Sequence, residues 1–207
     1  MSAIAVTACG GRHPNAATPV DPFAQIAVTP LSVGELAGTN VLLLTTGTLV
    51  AGDSAHPLPD VALRKTALLA ATNAALDTAL RRDGREVTWL GLEEQRRAAR
   101  RNPTLGIEPE HFATQYLFDP RVMQIPDPLW AQLRALAAVS SARYVFVPAA
   151  VKISGEPGAF TAAIIMVLAD ARSGRVMVRT RAQGPVAATP EAALTLAAGT
   201  LISSPVR

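Results

Sequence analysis

Few residues in this chain have the types and spacings that support chemistry. Its three histidines, His13, His56 and His111, stand apart, and none has the i,i+4 partner that a helical metal site needs. Glu108-Pro109-Glu110-His111 brings carboxylates beside an imidazole, which could serve acid–base work. The prolines around it argue against a rigid catalytic geometry. No Gly-x-Ser-x-Gly elbow, Walker loop or dinucleotide fingerprint is present. Gly10-Gly11 and Gly47-Thr48 are turn glycines, since neither opens a helix carrying phosphate-binding residues. Ser140-Ser141 reads as a helix-to-strand connection with no partner His and Asp to activate it. These patterns point to no cofactor, no metal and no catalytic residue. The enzyme alternative is a small-molecule site in the 103–126 loop, with Glu108, His111 and Tyr116 around a pocket.

Arginine is the one chemical group present in excess. The formal charge is +3, and only Lys65 and Lys152 among the basic residues are lysines. Arg81, Arg82 and Arg85 precede Arg96, Arg97, Arg100 and Arg101 on the next helix. The pairs Arg96/Arg100 and Arg97/Arg101 are like charges at i,i+4, which disfavours an isolated helix, and Glu93 offsets Arg97 only in part. The plain reading is a solvated face; the sharper one is a contact with acidic partner residues or anionic lipid headgroups. Arg179 and Arg181, two apart on one strand, add a second candidate docking surface. Without interleaved aromatics and with so small an excess, nucleic-acid binding is the weaker alternative.

These groups must be positioned by an alanine-rich fold. Of 207 residues 49% are apolar but only 4% aromatic, so Leu, Val, Ile and Ala have to build the core. Asn40–Thr46 is an apolar run suited to a central strand. Asp60 is expected to cap a long helix reaching Arg82, with Leu69, Leu76 and Leu80 on its buried stripe beside Val61 and Leu68. Gly84 ends it, Glu86–Leu90 forms a strand, and Glu93–Arg101 a short charged helix. Asp127-Pro128 reads as a capped helix start, with Leu129, Leu133 and Leu136 buried. Arg143–Ile153 is a strand with Val145, Val147, Val151 and Ile153 expected on one face. Ala159–Ala171 and Val176–Gln183 follow as a hairpin whose turn, Arg172-Ser173-Gly174, needs a positive φ at the glycine. Thr189 starts a last helix with Leu194, Ala197 and Leu201 inward. The order implies an α+β fold: a mixed sheet of about five strands packed by three or four helices. Residues 1–38, with Pro14, Pro19, Pro22 and Pro30, read as an extended arm, and 39–207 as a single domain.

The chain's start, Val6-Thr7-Ala8-Cys9, resembles a lipobox, the signal at which bacterial lipoproteins are cleaved and acylated on cysteine. Cys9 would then be the lipidation site. The apolar stretch before it is shorter than the 7–15 residues of a signal h-region and lacks basic residues, defects that an upstream start would repair. Cys9 is the only cysteine, so no intramolecular disulfide forms.

Ala142-Arg143-Tyr144-Val145-Phe146-Val147 and Leu168-Ala169-Asp170-Ala171-Arg172-Ser173-Gly174-Arg175-Val176 resemble a group of bacterial envelope proteins. The group includes the curli-secretion lipoprotein, the lipoprotein activators of penicillin-binding proteins and the amino-terminal domain of the Tol-system propeller protein. A strand like Val41–Thr45 belongs to the same pattern. The resemblance spans residues 38–204; Pro148 stands where the group often has glycine, and nothing matches the inserts that make a secretion pore. It implies a binding domain, often lipid-anchored, that docks onto larger envelope assemblies and has no catalytic residues to transfer. The expectation is an accessory or scaffolding subunit of a larger membrane protein complex. It would lie on the periplasmic side with no transmembrane helix, using arm and hairpin as contacts.

Overall fold

The apolar runs at 40–46 and 143–171 form the centre of one sheet. A computed structural model describes residues 21–53 and 55–202. Among these, six strands form the sheet: β1 (Asn40–Leu43), β2 (Leu49–Ala51), β3 (Thr88–Leu90), β4 (Tyr144–Glu156), β5 (Ala159–Asp170) and β6 (Val176–Gln183). The order is β3-β1-β4-β5-β6, with β2 also pairing β4. The pairs β1–β3, β1–β4 and β2–β4 are parallel, whereas β4–β5 and β5–β6 are antiparallel hairpins. The α+β class and mixed sheet expected from sequence are therefore present, with β2 as an additional strand. β1 and β2 share one side of β4, along residues 144–146 and 151–153.

Two apolar cores lie on opposite faces of the sheet. On one, α3 (Lys65–Asp83) and α6 (Pro190–Gly199) pack Leu68, Leu76, Leu80, Leu194 and Ala197 against Phe146, Ile153, Ile164 and Met166. On the other, α5 (Leu129–Val139) packs Leu129, Leu133 and Leu136 against Val145, Val147, Ile165 and Val167. The 103–126 segment joins this second core through Ile107, Leu117 and Ile125, and folds as three short 3-10 turns.

β4 does not present Val145, Val147, Val151 and Ile153 on one face. Its register against β5 shifts between Pro148 and Ala150, so one extra residue is inserted. Val145 and Val147 belong to the α5 side, Val151 and Ile153 to the α3 side. Because strand side chains alternate with period two, one inserted residue exchanges the faces of everything beyond it. Pro148, which cannot donate a ladder hydrogen bond, marks the place.

The helix expected from Asp60 to Arg82 is two helices. A first, α2 (Pro59–Leu63), is followed by a bend at Arg64, which is paired with Glu191. Asp60 lies inside its first turn and caps nothing. In α3 the buried stripe is Leu68, Thr72, Leu76, Ala79 and Leu80, with Leu69 beside it and only half-buried. Asp127 likewise makes no capping bond. The first turn of α5 sends the Trp130 and Gln132 amides to the carbonyls of Pro126 and Pro128. Thr189 does cap α6, accepting from the Ala192 amide at 3.2 Å.

The described part of the arm lies along the domain. A single helical turn, α1 (Pro22–Gln25), is capped by Asp21, whose carboxylate accepts from the Phe23 amide at 2.9 Å and pairs with Lys152 at 2.5 Å. Phe23 and Ile26 enter the core under α5, and Leu31, Val33 and Leu36 enter the opposite one. Residues 27–29 run beside β6: Arg181 N–H donates to Ala27 C=O at 3.0 Å. Cys9 and His13 lie outside the described residues. No helix among those described is long and apolar enough to cross a membrane.

Candidate functional site

The arginines singled out by sequence are largely neutralised within the chain. Arg81 meets Asp77 at 2.9 Å and Arg82 meets Asp83 at 2.6 Å. On the charged helix α4 (Leu92–Arg101), the glutamates pair at i,i+3: Glu93 with Arg96, and Glu94 with Arg97 at 3.1 Å. The expected partial offset of Arg97 by Glu93 is thus replaced by Glu94, one residue further along the turn. Glu110, from the 103–126 segment, also pairs with Arg96, and that guanidinium holds the Glu110 carboxyl below its usual range. Arg85 donates to the Arg82 carbonyl at 3.0 Å. Of these seven, Arg100 and Arg101 carry no side-chain hydrogen bond or ion pair among the described residues.

Arg179 and Arg181 hold the chain together. Arg179 donates to the carbonyls of Pro120 and Val122 at 2.8 and 2.6 Å, and burial pushes its pKa down. Arg181 donates to the carbonyl of Phe23. The two therefore tie β6 to the 120–122 loop and to the arm. Backbone bonds complete the same seam, with Val176 N–H to Met123 C=O at 2.9 Å and Ile125 N–H to Gly174 C=O at 2.8 Å. Thr180, buried at 2% exposure, exchanges hydrogen bonds with the backbone of Thr29.

This seam turns an open sheet edge into a surface built from three segments. Along it stand Val28, Met123, Met177 and Val178, exposed by 50, 61, 45 and 39%. They are four of the ten large apolar side chains left exposed among the described residues, gathered on one stretch of β6 and the two segments that flank it. Met177 sits where the β5–β6 register shifts, the kind of irregularity that re-aims side chains at sheet edges. Sequence reading offers Arg179 and Arg181 as a candidate docking surface; in the structure both guanidiniums donate to main-chain carbonyls of other segments. The arginines are structural ties, and the exposed groups are the apolar ones beside them.

Glu108, His111 and Tyr116 do not gather around a pocket. His111 Nδ1 lies 2.8 Å from Glu108 Oε2, with the two side chains 76 and 74% exposed, and Tyr116 is 57% exposed. A general acid or base here would work in bulk solvent, with no walls to orient a substrate or exclude water. His56 meets Asp53 at 3.5 Å, its side chain 83% exposed. Among the described residues no group of three or more His, Cys, Asp or Glu is placed to hold a metal ion.

A cleft of about 640 Å³ opens beyond the carboxyl ends of β1 and β3, between α3 and the start of α4. Gln95, 1% exposed, ties β1 to β3 beside it, donating through Nε2 to the carbonyls of Leu43 at 2.7 Å and Leu90 at 2.9 Å. Asn73 accepts from the Thr46 amide at 2.9 Å on the opposite wall. Asp77, Arg81 and Glu94 converge near Gly91 at the rim, already satisfied by one another and by Arg97.

A second cleft, about 590 Å³, lies at the carboxyl end of α5 and is lined by Arg134, Arg143 and Arg172. These three were not singled out from sequence, where they are scattered. Only the meeting of α5, the start of β4 and the β5–β6 turn brings them together. The glycine expected at that turn is Gly174, with φ +72°, and a β-carbon there would lie 3.0 Å from the Trp130 ring. Trp130 in turn donates to the Ala171 carbonyl at 3.1 Å, fixing the turn against α5.

No family model matches this chain, and no curated protein matches it. The solved structures it is similar to include the LpoB C-terminal domain from Salmonella enterica, at 17% identity and TM-score 0.41, covering 74% of this chain and 87% of that one. They also include lipoprotein GNA1162 from Neisseria meningitidis, at 14% identity and TM-score 0.37, covering 71% and 80% respectively. A third is the PelC dodecamer from Paraburkholderia phytofirmans, at 12% identity and TM-score 0.35, covering 84% and 90%.

Proposed function

We propose that this chain is a non-catalytic binding subunit of a bacterial envelope assembly. Its partner is a protein, held on the surface where β6 meets residues 27–29 and 120–125. The observation that carries this reading is the exposure of Val28, Met123, Met177 and Val178 along β6 and the two segments bonded to it at one edge of the sheet. Apolar side chains scattered singly over a surface need no explanation, but several gathered on one built edge mark a contact. Backbone bonds from both flanking segments cover part of that edge. This leaves side chains, rather than a free strand ladder, to make the contact. The resemblance of residues 142–147 and 168–176 to envelope binding domains supports the same reading. With Cys9 as an acylated anchor, the domain would lie at the periplasmic face of a membrane. One acyl chain binds a membrane only marginally, so contacts with the assembly would hold it there as well.

The test is the double variant Met177→Asp, Val178→Asp. Both positions are exposed, so the variant is expected to fold with an unchanged circular dichroism spectrum. In native gels of gently solubilised membranes, the wild type is expected to migrate within a large assembly and the variant as a free chain. Migration of the variant with the assembly would remove this surface from the contact. A wild type that migrates alone would end the subunit reading.

A further inference from the structure

We propose that the cleft at the carboxyl end of α5 is an anion site that takes a phosphate monoester dianion. Three arginines from three separate elements line it: Arg134 from α5, Arg143 just before β4 and Arg172 from the β5–β6 turn. Arg134 and Arg172 carry no ion pair or side-chain hydrogen bond among the described residues. Arg143 reaches one carboxylate, Asp170, at 3.4 Å. That carboxylate is largely spent elsewhere: its other oxygen accepts from the Arg172 and Ser173 amides at 2.8 and 3.1 Å. Three cations against one such anion leave two positive charges around a concave space, and a phosphate monoester near neutral pH carries about two negative ones.

Two of the three guanidiniums are oriented by aromatic rings before any ligand arrives. Arg134 lies over the Trp130 ring at 5.6 Å and Arg143 over the Tyr144 ring at 5.0 Å, contacts that use the flat faces; the donor edge of Arg134 stays free and that of Arg143 reaches only Asp170. The cleft floor is small and apolar, with Ala137 and Ala171 buried at 3 and 1% exposure. A helix carboxyl end would ordinarily repel an anion. Here the carbonyls of Leu136, Ala137 and Ala138 are each taken by the amides of Ser140, Ala142 and Ser141.

That closure requires Ser141 to adopt φ +53°, the only non-glycine residue with a positive φ among those described. Glycine is the usual occupant of this position, because a β-carbon there is strained. Ser141 lines the cleft in this strained conformation and supplies a hydroxyl that a phosphate oxygen can use. Recognition then rests on side chains alone, since the Arg143 amide is also spent, on Asn40 C=O at 3.3 Å.

The test uses the full chain titrated with inorganic phosphate near pH 7.5, against chloride at matched ionic strength, reading the arginine Nε–Hε resonances. A saturable response is expected that Arg134→Ala, Arg172→Ala weakens by at least about tenfold. Arg100→Ala, Arg101→Ala, which removes two equally exposed cations elsewhere, should leave it unchanged. No saturation, or equal loss in both double variants, overturns the site, and an equal response to acetate overturns the phosphate assignment in favour of carboxylate. Sedimentation with phosphatidic acid vesicles, but not phosphatidylcholine vesicles, in an Arg134- and Arg172-dependent manner assigns the phosphate to a lipid headgroup. Saturable binding of free phosphate without vesicle binding assigns it to a soluble ester; either upholds the site.

Discussion

Phe23 lies in the segment that reads from sequence as an extended arm, yet its ring is 3% exposed. It packs against Phe118 with ring centroids 5.1 Å apart at 57°, and Lys152 Nζ lies 5.9 Å from its centre. Its carbonyl accepts from Arg181, so the backbone of this turn is tied to β6 independently of the ring. Phe23→Ala would therefore leave a cavity that the tethered backbone cannot readily close. Truncations of this kind cost about 3–5 kcal/mol. At roughly 2–4 °C per kcal/mol for a chain of this size, Tm should fall by about 6–20 °C. The assay is urea unfolding followed by circular dichroism, with an unchanged m-value expected if only stability moves. Val28→Ala, five residues along and half exposed, is the internal control, with an expected change within about 0.5 kcal/mol. If Phe23→Ala were indistinguishable from Val28→Ala, residues 21–38 would not be part of the folded domain. The surface proposed for partner binding would then lose one of its three segments.

Two further outcomes follow from local chemistry. Ser141→Gly relieves the left-handed strain at φ +53° and should stabilise the protein by about 0.5–1 kcal/mol in urea unfolding, since the strain removed exceeds the added freedom of the unfolded chain. A destabilised variant would mean that the serine side chain carries packing not accounted for. Asp119 accepts hydrogen bonds from the Arg121 guanidinium and amide, which lower its carboxyl pKa from 3.8 to about 2. A depressed carboxylate contributes stability above its unfolded pKa and loses it as pH falls through the folded one, so its share should vanish between about pH 4 and pH 2. A carboxyl NMR titration should place the Asp119 midpoint near 2; a midpoint at the ordinary 3.8 would remove the Arg121 contact from the folded state.

How far the fold can be read from sequence depends on whether its signals are local. Leu129, Leu133 and Leu136, the Thr189 cap and the positive φ of Gly174 are each set within a few residues, and all are found where expected. β2 is three residues long and pairs in parallel with a strand about a hundred positions later, so it has no hairpin turn to announce it. The β4 bulge turns on one residue after Pro148, which alternation alone cannot locate. In the arm, the spacing of prolines masks Phe23, Ile26, Leu31, Val33 and Leu36, whose burial comes from both faces of a sheet formed much later in the chain. Counting arginines identified a charged region but not which charges remain free. The acids that neutralise Arg81, Arg82, Arg96 and Arg97 were visible in sequence, whereas the convergence of Arg134, Arg143 and Arg172 depends on tertiary contacts alone.

The most direct measurement is site-specific photo-crosslinking in native membranes, with the photoreactive group placed at Met177 or, as a control, at Leu63, which is 87% exposed on a different element. A subunit held through the β6 edge should crosslink from position 177 to one defined protein, identified by mass spectrometry, and give no such product from position 63. Absence of a defined product from 177, or the same products from both positions, would contradict a dedicated partner-binding surface at this edge.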